Sequence, residues 1–197
     1  MNLEKATLKR LQLLPRLFRT QDVRKVAPHA AVFLSRAHRS GLIERLARGS
    51  YINAFLKGRP GVEEVACFLK PPAYISCEWA LNSHGILLQA PHVCTVVTLH
   101  PAVGRNRTVT YQGMVIEFSR IAPGLFRGFT TQDGVSMASP EKALLDVLYL
   151  HRDVPAQDEL DLDRIDRDEL RTLSRLYPAT IQNRAASLLA PSERLTR

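Results

Sequence analysis

A chain of 197 residues with 45% hydrophobic and 23% charged residues is long enough for one or two domains with real cores, which sets it apart from a disordered segment. It contains no run of about eighteen apolar residues, so no membrane span is expected, and its N-terminus lacks the pattern of a signal peptide. Three widely spaced cysteines argue against a disulfide framework and fit a reducing cytoplasm.

The formal net charge of +8 is unevenly placed. Residues 1–60 hold 13 Lys and Arg against 3 Asp and Glu, whereas residues 61–150 and 151–197 each come to −1. Basicity confined to one module is the expected footprint of a polyanion partner.

In chain order, residues 3–14 read as a helix. Leu3, Leu8, Leu11 and Leu14 fall near one face, Lys5, Lys9 and Arg10 lie elsewhere, and Pro15 ends the pattern. Thr20 is the expected N-cap of a short second helix, with Asp22 in its first turn and a stop before Pro28. A third helix is expected from about Pro28 to Ser40, closed by Gly41. At 100° per residue its inner face is Ala30, Phe33, Leu34 and Ala37. Its outer face is Val32, Ser35, Arg36 and Arg39. Those outer groups suit guanine edges, phosphates and thymine methyls in a major groove. Strands are expected over Leu42–Arg45 and Ser50–Ile52, around a basic turn at Ala47-Arg48-Gly49. Two helices followed by a basic hairpin outline a winged helix-turn-helix over Thr20–Ile52.

Gly58-Arg59-Pro60-Gly61 reads as a turn, Val62–Leu69 as a helix, and Pro71-Pro72 as its stop. From Tyr74 the pattern becomes α+β. Ser76 is the expected cap of a helix running to His84 and Gly85. Val93–Leu99 is a β-branched run suited to a central strand. Hairpins are expected around Gln112-Gly113 and around Gln132-Asp133-Gly134, the second opening at Phe126. Ser139 then caps a helix with Pro140 at its first position. The segment Asp158–Glu169 is acidic and reads as a solvated helical face; helices follow around Arg167–Leu176 and Ile181–Leu189, and the chain from Pro191 reads as a frayed end. The fold class expected is α+β: a winged helix-turn-helix over 1–57, a connection over 58–73, and over 74–197 a mixed domain with a small sheet and C-terminal helices.

The candidate DNA-contacting residues are Val32, Ser35, Arg36, Arg39, Arg45, Arg48 and Lys25. Lys5, Lys9, Arg16, Arg19 and Arg24 are further candidates for phosphate. In isolation such charges are ordinary solvent-facing groups; their phase and the confined basicity favour the contact reading. Cys77, His84, His92 and Cys94 have ligand chemistry but match no familiar zinc spacing, so no metal or other cofactor is expected. Glu78, Asp133, Glu141 and Asp146 are possible acid/base groups, yet turns, helix starts and an i,i+4 pairing of Asp146 with Lys142 account for them. No phosphate-loop, dinucleotide, nucleophile-elbow or zinc-protease motif occurs, so no catalytic residues and no enzyme activity are expected.

Several strings carry a resemblance: Tyr74-Ile75-Ser76, Glu78, Ala80-Leu81, His84-Gly85, and the run Ala138-Ser139-Pro140-Glu141-Lys142-Ala143-Leu144-Leu145-Asp146. With the N-terminal outline they resemble AbiEi-type antitoxins, the transcription-regulating members of bacterial type IV toxin–antitoxin pairs. The likeness extends over about residues 17–151. It implies a cytoplasmic repressor that binds inverted repeats in its own promoter as double-stranded DNA. It also implies a second domain that neutralises an AbiEii-type nucleotidyltransferase toxin, which need not involve a stable complex, and no membrane partner. The alternative reading is a winged-helix protein-interaction module without DNA binding.

Overall fold

The computed structural model describes residues 3–102, 104, 107–150 and 157–189, at 3–5 and 157 by backbone alone. The expectations for the side chains of Leu3 and Lys5, and for the chain from Pro191, lie outside the described residues. The chain forms two compact units, Met1–Leu69 and Lys70–Arg197, of mixed α and β structure.

In the first unit, helix α1 (Leu3–Gln12) is followed by strand β1 (Leu17–Arg19), helix α2 (Thr20–Val26), helix α3 (Ala30–Arg39), strands β2 (Ile43–Ala47) and β3 (Ser50–Asn53), and helix α4 (Val62–Leu69). The segment expected as a connection thus carries α4, and α4 belongs to this unit. The three strands form an antiparallel sheet in the order β1-β3-β2. Phe18 pairs with Tyr51 across β1 and β3, and their rings stack at 5.5 Å. Leu11, Leu14, Phe18, Val23, Phe33, Leu34, Ala37 and Ile43 make the core. Buried Asn53 ends β3 and donates from Nδ2 to Leu11 O (2.8 Å) and Leu14 O (3.2 Å), so it ties the turn that follows α1 to the sheet.

Two local expectations change. Thr20 is the first helical residue of α2 and Arg19 the N-cap, because Asp22 reaches back to accept the Arg19 N–H at 2.9 Å. The Thr20 N–H instead donates to Gly49 O in the β2–β3 turn, at 3.0 Å. Helix α3 starts at Ala30, two residues past Pro28, since His29 at φ −113° and ψ 70° stands outside the helical region.

The second unit runs β4 (Ala73–Ile75), α5 (Cys77–Ser83), β5 (Val93–Thr98), β6 (Thr108–Tyr111), β7 (Met114–Arg120), β8 (Phe129–Gln132), β9 (Val135–Ala138), α6 (Pro140–Tyr149), α7 (Arg167–Ser174) and α8 (Ala179–Leu188). Its sheet is larger than expected, six strands in the order β6-β7-β5-β4-β9-β8. The β5–β7 and β4–β9 pairs are parallel and the others antiparallel. The β-branched run of β5 lies inside the sheet, as its composition requires. Phe126 does not open β8. A 3₁₀ turn at Pro123–Leu125 precedes it, and its ring packs edge-on against Tyr74 and Phe129 at 5.2 and 5.1 Å. The acidic stretch is not one helical face either. Short 3₁₀ turns occupy Gln157–Glu159 and Leu162–Arg164, and Asp166 caps α7 by accepting from Asp168 and Glu169 N–H groups at 2.9 and 3.0 Å.

Candidate functional site

Helix α3 buries Phe33, Leu34 and Ala37 and exposes Val32, Ser35, Arg36 and Arg39. With about 100° per residue these four fall within an arc of about 100°. Arg39 Nη2 donates to Ser35 Oγ at 3.3 Å, so this guanidinium lies along the helix surface. The Arg36 side chain has no partner among the described residues.

The β2–β3 hairpin stands beside α3. Arg45 and Arg48 are exposed on it, and Gly49 turns the chain at φ +77°, a conformation that L side chains rarely adopt. The end of α2, the start of α3 and the hairpin enclose an open groove of about 780 Å³. Val32 and Ser35 line it from α3, Arg24 from α2, and Arg45 and Tyr51 from the hairpin, with His29 and His38 also on its walls. Arg24, His29, His38 and Tyr51 were not among the leading sequence candidates. Their place around the groove depends on the packing of α3 against α2 and β2, and on the Arg45–Tyr51 pairing of β2 with β3, which leave no periodic trace in the sequence.

The basic residues of this unit sort by partner. Arg16 pairs with Glu64 (3.8 Å), Arg59 with Glu44 (3.2 Å) and Lys25 with Asp22 (3.3 Å). Arg19 lies over the Phe68 ring at 4.7 Å and donates to the Phe68 and Leu69 carbonyls, which close α4. The Arg19 guanidinium, raised by the sequence as a candidate for phosphate, is thus engaged within the unit. Lys25 remains exposed, with its charge shared. Arg24, Arg36, Arg45 and Arg48 have no acidic partner among the described residues, nor do Lys9, Arg10 and Lys57. The four partnerless arginines and Arg39 therefore sit on α3 and the two elements flanking it.

A second constellation lies within the other unit. Asp146 on α6 is fully buried and accepts from four side chains. Tyr74 Oη and Ser76 Oγ donate to its Oδ2 at 2.9 and 2.7 Å. Tyr177 Oη donates to Oδ1 at 2.8 Å, and Lys142 Nζ forms a close ion pair with the same oxygen. Lys142 is 1% exposed and also lies over the Tyr74 and Tyr177 rings, at 5.3 and 5.2 Å. Burial, reinforced by the Asp146 charge, holds both tyrosine hydroxyls protonated well above the ordinary range. Burial pushes the Lys142 ammonium down, against the pull of Asp146. The sequence suggested the Lys142–Asp146 pair but not the three hydroxyls around it. Ser76 occupies the N-cap position of α5, yet its hydroxyl makes no cap bond there and is turned to Asp146. With every member this deeply enclosed, the cluster is built to hold protons in place and to join β4, α6 and the α7–α8 connection.

The remaining chemical candidates have local roles. Glu141 Oε1 accepts the Asp166 N–H at 3.0 Å, and Asp133 turns the β8–β9 hairpin at φ +50°. Cys77 and Cys94 are buried, and His84 Nε2 is hydrogen-bonded to Ala138 O at 2.8 Å. Among the described residues no group of three or more His, Cys, Asp or Glu is placed to hold a metal ion, and no helix is long and apolar enough to cross a membrane.

No curated protein matches the chain. A family model does match, over α1 through β3, and the strings of the second unit that carried the sequence resemblance lie outside the matched stretch. The match supports an antitoxin or transcriptional-regulator role. The segment that bears the exposed α3 face and the basic hairpin, residues 7–54, is thus similar to the family described as "Transcriptional regulator, AbiEi antitoxin".

Proposed function

We propose that this protein is a sequence-specific DNA-binding repressor and the antitoxin of a type IV toxin–antitoxin operon. In this reading Thr20–Ile52 is a winged helix-turn-helix. Helix α3 enters the major groove with Val32, Ser35, Arg36 and Arg39, and the β2–β3 hairpin is the wing, with Arg45 and Arg48 on the phosphate backbone. The target is an inverted repeat in the protein's own promoter. The unit from Lys70 onward serves the neutralisation of an AbiEii-type nucleotidyltransferase toxin. The protein acts in the cytoplasm and needs no cofactor or catalytic residue.

The observation that carries this reading is the gathering of Arg24, Arg36, Arg39, Arg45 and Arg48 around one exposed helix face, none of them with an acidic partner among the described residues. Holding like charges together costs free energy unless a polyanion meets them. The other basic groups nearby are tied to Glu44, Glu64, Asp22 and the end of α4. The family match over residues 7–54 supports the same reading from outside the structure.

Footprinting and gel shifts on the DNA upstream of the gene test it. Arg36→Ala should weaken operator binding and flatten the preference for operator over unrelated DNA, because a bidentate base contact is worth about 1–3 kcal/mol. Arg48→Ala should weaken binding to both DNAs alike, since a phosphate contact carries no sequence information. Wild-type affinity in both variants would remove the assignment. Absence of any duplex binding at low salt would favour the winged helix as a protein-interaction module. The antitoxin half is tested by co-expression: growth arrest by the neighbouring toxin gene should be relieved by the intact chain.

A further inference from the structure

The α3 face also carries information about which bases it would meet, and this inference rests on the DNA-binding reading above. Single exposed apolar side chains are common on protein surfaces. Val32 differs by its place. It stands 49% exposed within the same arc as two arginine forks, and it lines the groove beside the hairpin. The apolar feature that a major groove offers is the thymine methyl, and the feature that matches a guanidinium fork is the O6/N7 edge of guanine.

The spacing along the helix sets the order. Arg36 lies four residues beyond Val32 and Arg39 seven, which at ~1.5 Å per residue is about 6 and 10.5 Å along the axis. At ~3.4 Å per base pair these are about two and three steps. Arg36 is free to reach outward, and the Ser35 bond holds the Arg39 fork on the same surface. Arg24 and Arg45 line the same groove as Val32, whereas Arg36 and Arg39 do not.

We infer that α3 reads a duplex word of about four base pairs in which a thymine meeting Val32 is followed by guanines meeting Arg36 and Arg39, with Arg24 and Arg45 on the phosphates beside the thymine. The thymine position favours DNA by the worth of one methyl, because the methyl that Val32 meets is absent from uracil.

The test uses the full chain and a pool of randomised duplexes. Selection should enrich one word with this order and spacing. In that word, deoxyuracil in place of the thymine should weaken binding about four-fold, the worth of one buried methyl. The loss should vanish in Val32→Ala. Replacing either guanine by 7-deazaguanine should weaken binding about five- to 150-fold. One of those losses should vanish in Arg36→Ala and the other in Arg39→Ala. The three side chains are exposed, so unchanged melting temperatures are expected and serve as the control for folding. Salt-dependent duplex binding with no enriched word, or with modified-base losses that persist in all three variants, overturns the inference while leaving DNA binding intact. Absence of duplex binding overturns the DNA-binding reading together with it.

Discussion

Asp146 shows how much a single residue can bind together. It is buried, charged, and takes hydrogen bonds from Tyr74, Ser76, Tyr177 and Lys142. Removing one partner of a buried ion pair leaves the other charge uncompensated, so Asp146→Ala should lower stability by about 3–5 kcal/mol in urea denaturation. A loss under about 1 kcal/mol would show that the cluster contributes little to the fold. The same site predicts an alkaline response. Tyr74 and Tyr177 have folded-state pKa values raised above 10.0, so the folded chain holds protons that the unfolded chain releases. Their stabilisation is complete below pH 10 and is lost as pH rises past it. Lys142 is shifted downward, so its contribution has the opposite sign: it rises with pH toward 10.5 and then levels off. Above about pH 10.5 stability should therefore fall, by up to ~1.4 kcal/mol per pH unit for each tyrosine. Tyr177→Phe should halve that slope in chemical denaturation at a series of pH values; an unchanged slope would refute the assignment.

At the scale of elements, local chemistry predicts some ends of helices and fails at others. Ser139 and Ser76 both stand at N-cap positions and read alike in the sequence. Ser139 Oγ does accept the Lys142 N–H, at 3.2 Å, while Ser76 serves Asp146, 70 residues away in the chain. Thr20 stands one residue inside α2, and the N-cap is Arg19, whose N–H Asp22 accepts. The hairpin is more regular. Gly49 at φ +77° lets the turn close, and its carbonyl accepts the first N–H of α2. An added Cβ would meet Thr20 Oγ1 at 3.5 Å, an ordinary contact, so the cost of Gly49→Ala is backbone strain and not a clash. That substitution should lower stability by about 1–2 kcal/mol, seen as a lower melting temperature. Under the DNA-binding reading it should also weaken duplex binding, because Arg48 sits in the same turn. A variant as stable as the parent would argue against the left-handed turn.

At the scale of the molecule the controlling quantity is where charge goes unpaired. The composition places the basicity in residues 1–60, and the structure then divides it between arginines with partners and arginines without. If Arg24, Arg45 and Arg48 each neutralise one phosphate while Arg36 and Arg39 read bases, the logarithm of the binding constant should fall with the logarithm of salt concentration with a slope of about −2.7. A titration between roughly 50 and 200 mM salt measures it. A slope shallower than about −1.5 would mean that most of these three arginines touch no phosphate, and one steeper than about −4 would bring in further basic groups such as Lys9, Arg10 or Lys57.

The sequence by itself determined the phase of α3, the two hairpin turns at Gln112-Gly113 and Asp133-Gly134, the Ser139-Pro140 helix start, and the partition of charge. These depend on a 3.6-residue period, on the backbone angles that Gly and Pro favour, and on counting, all of which are local. Only the tertiary structure decided which arginines are consumed by internal partners and which are left to face outward. It alone brought Tyr74, Ser76 and Tyr177 onto Asp146, from 72, 70 and 31 residues away. It also set the Arg24–Arg45 groove beside Val32. Each of these depends on packing between segments far apart in the chain, and a hydroxyl or guanidinium bears no mark in its neighbouring residues of the partner it will meet.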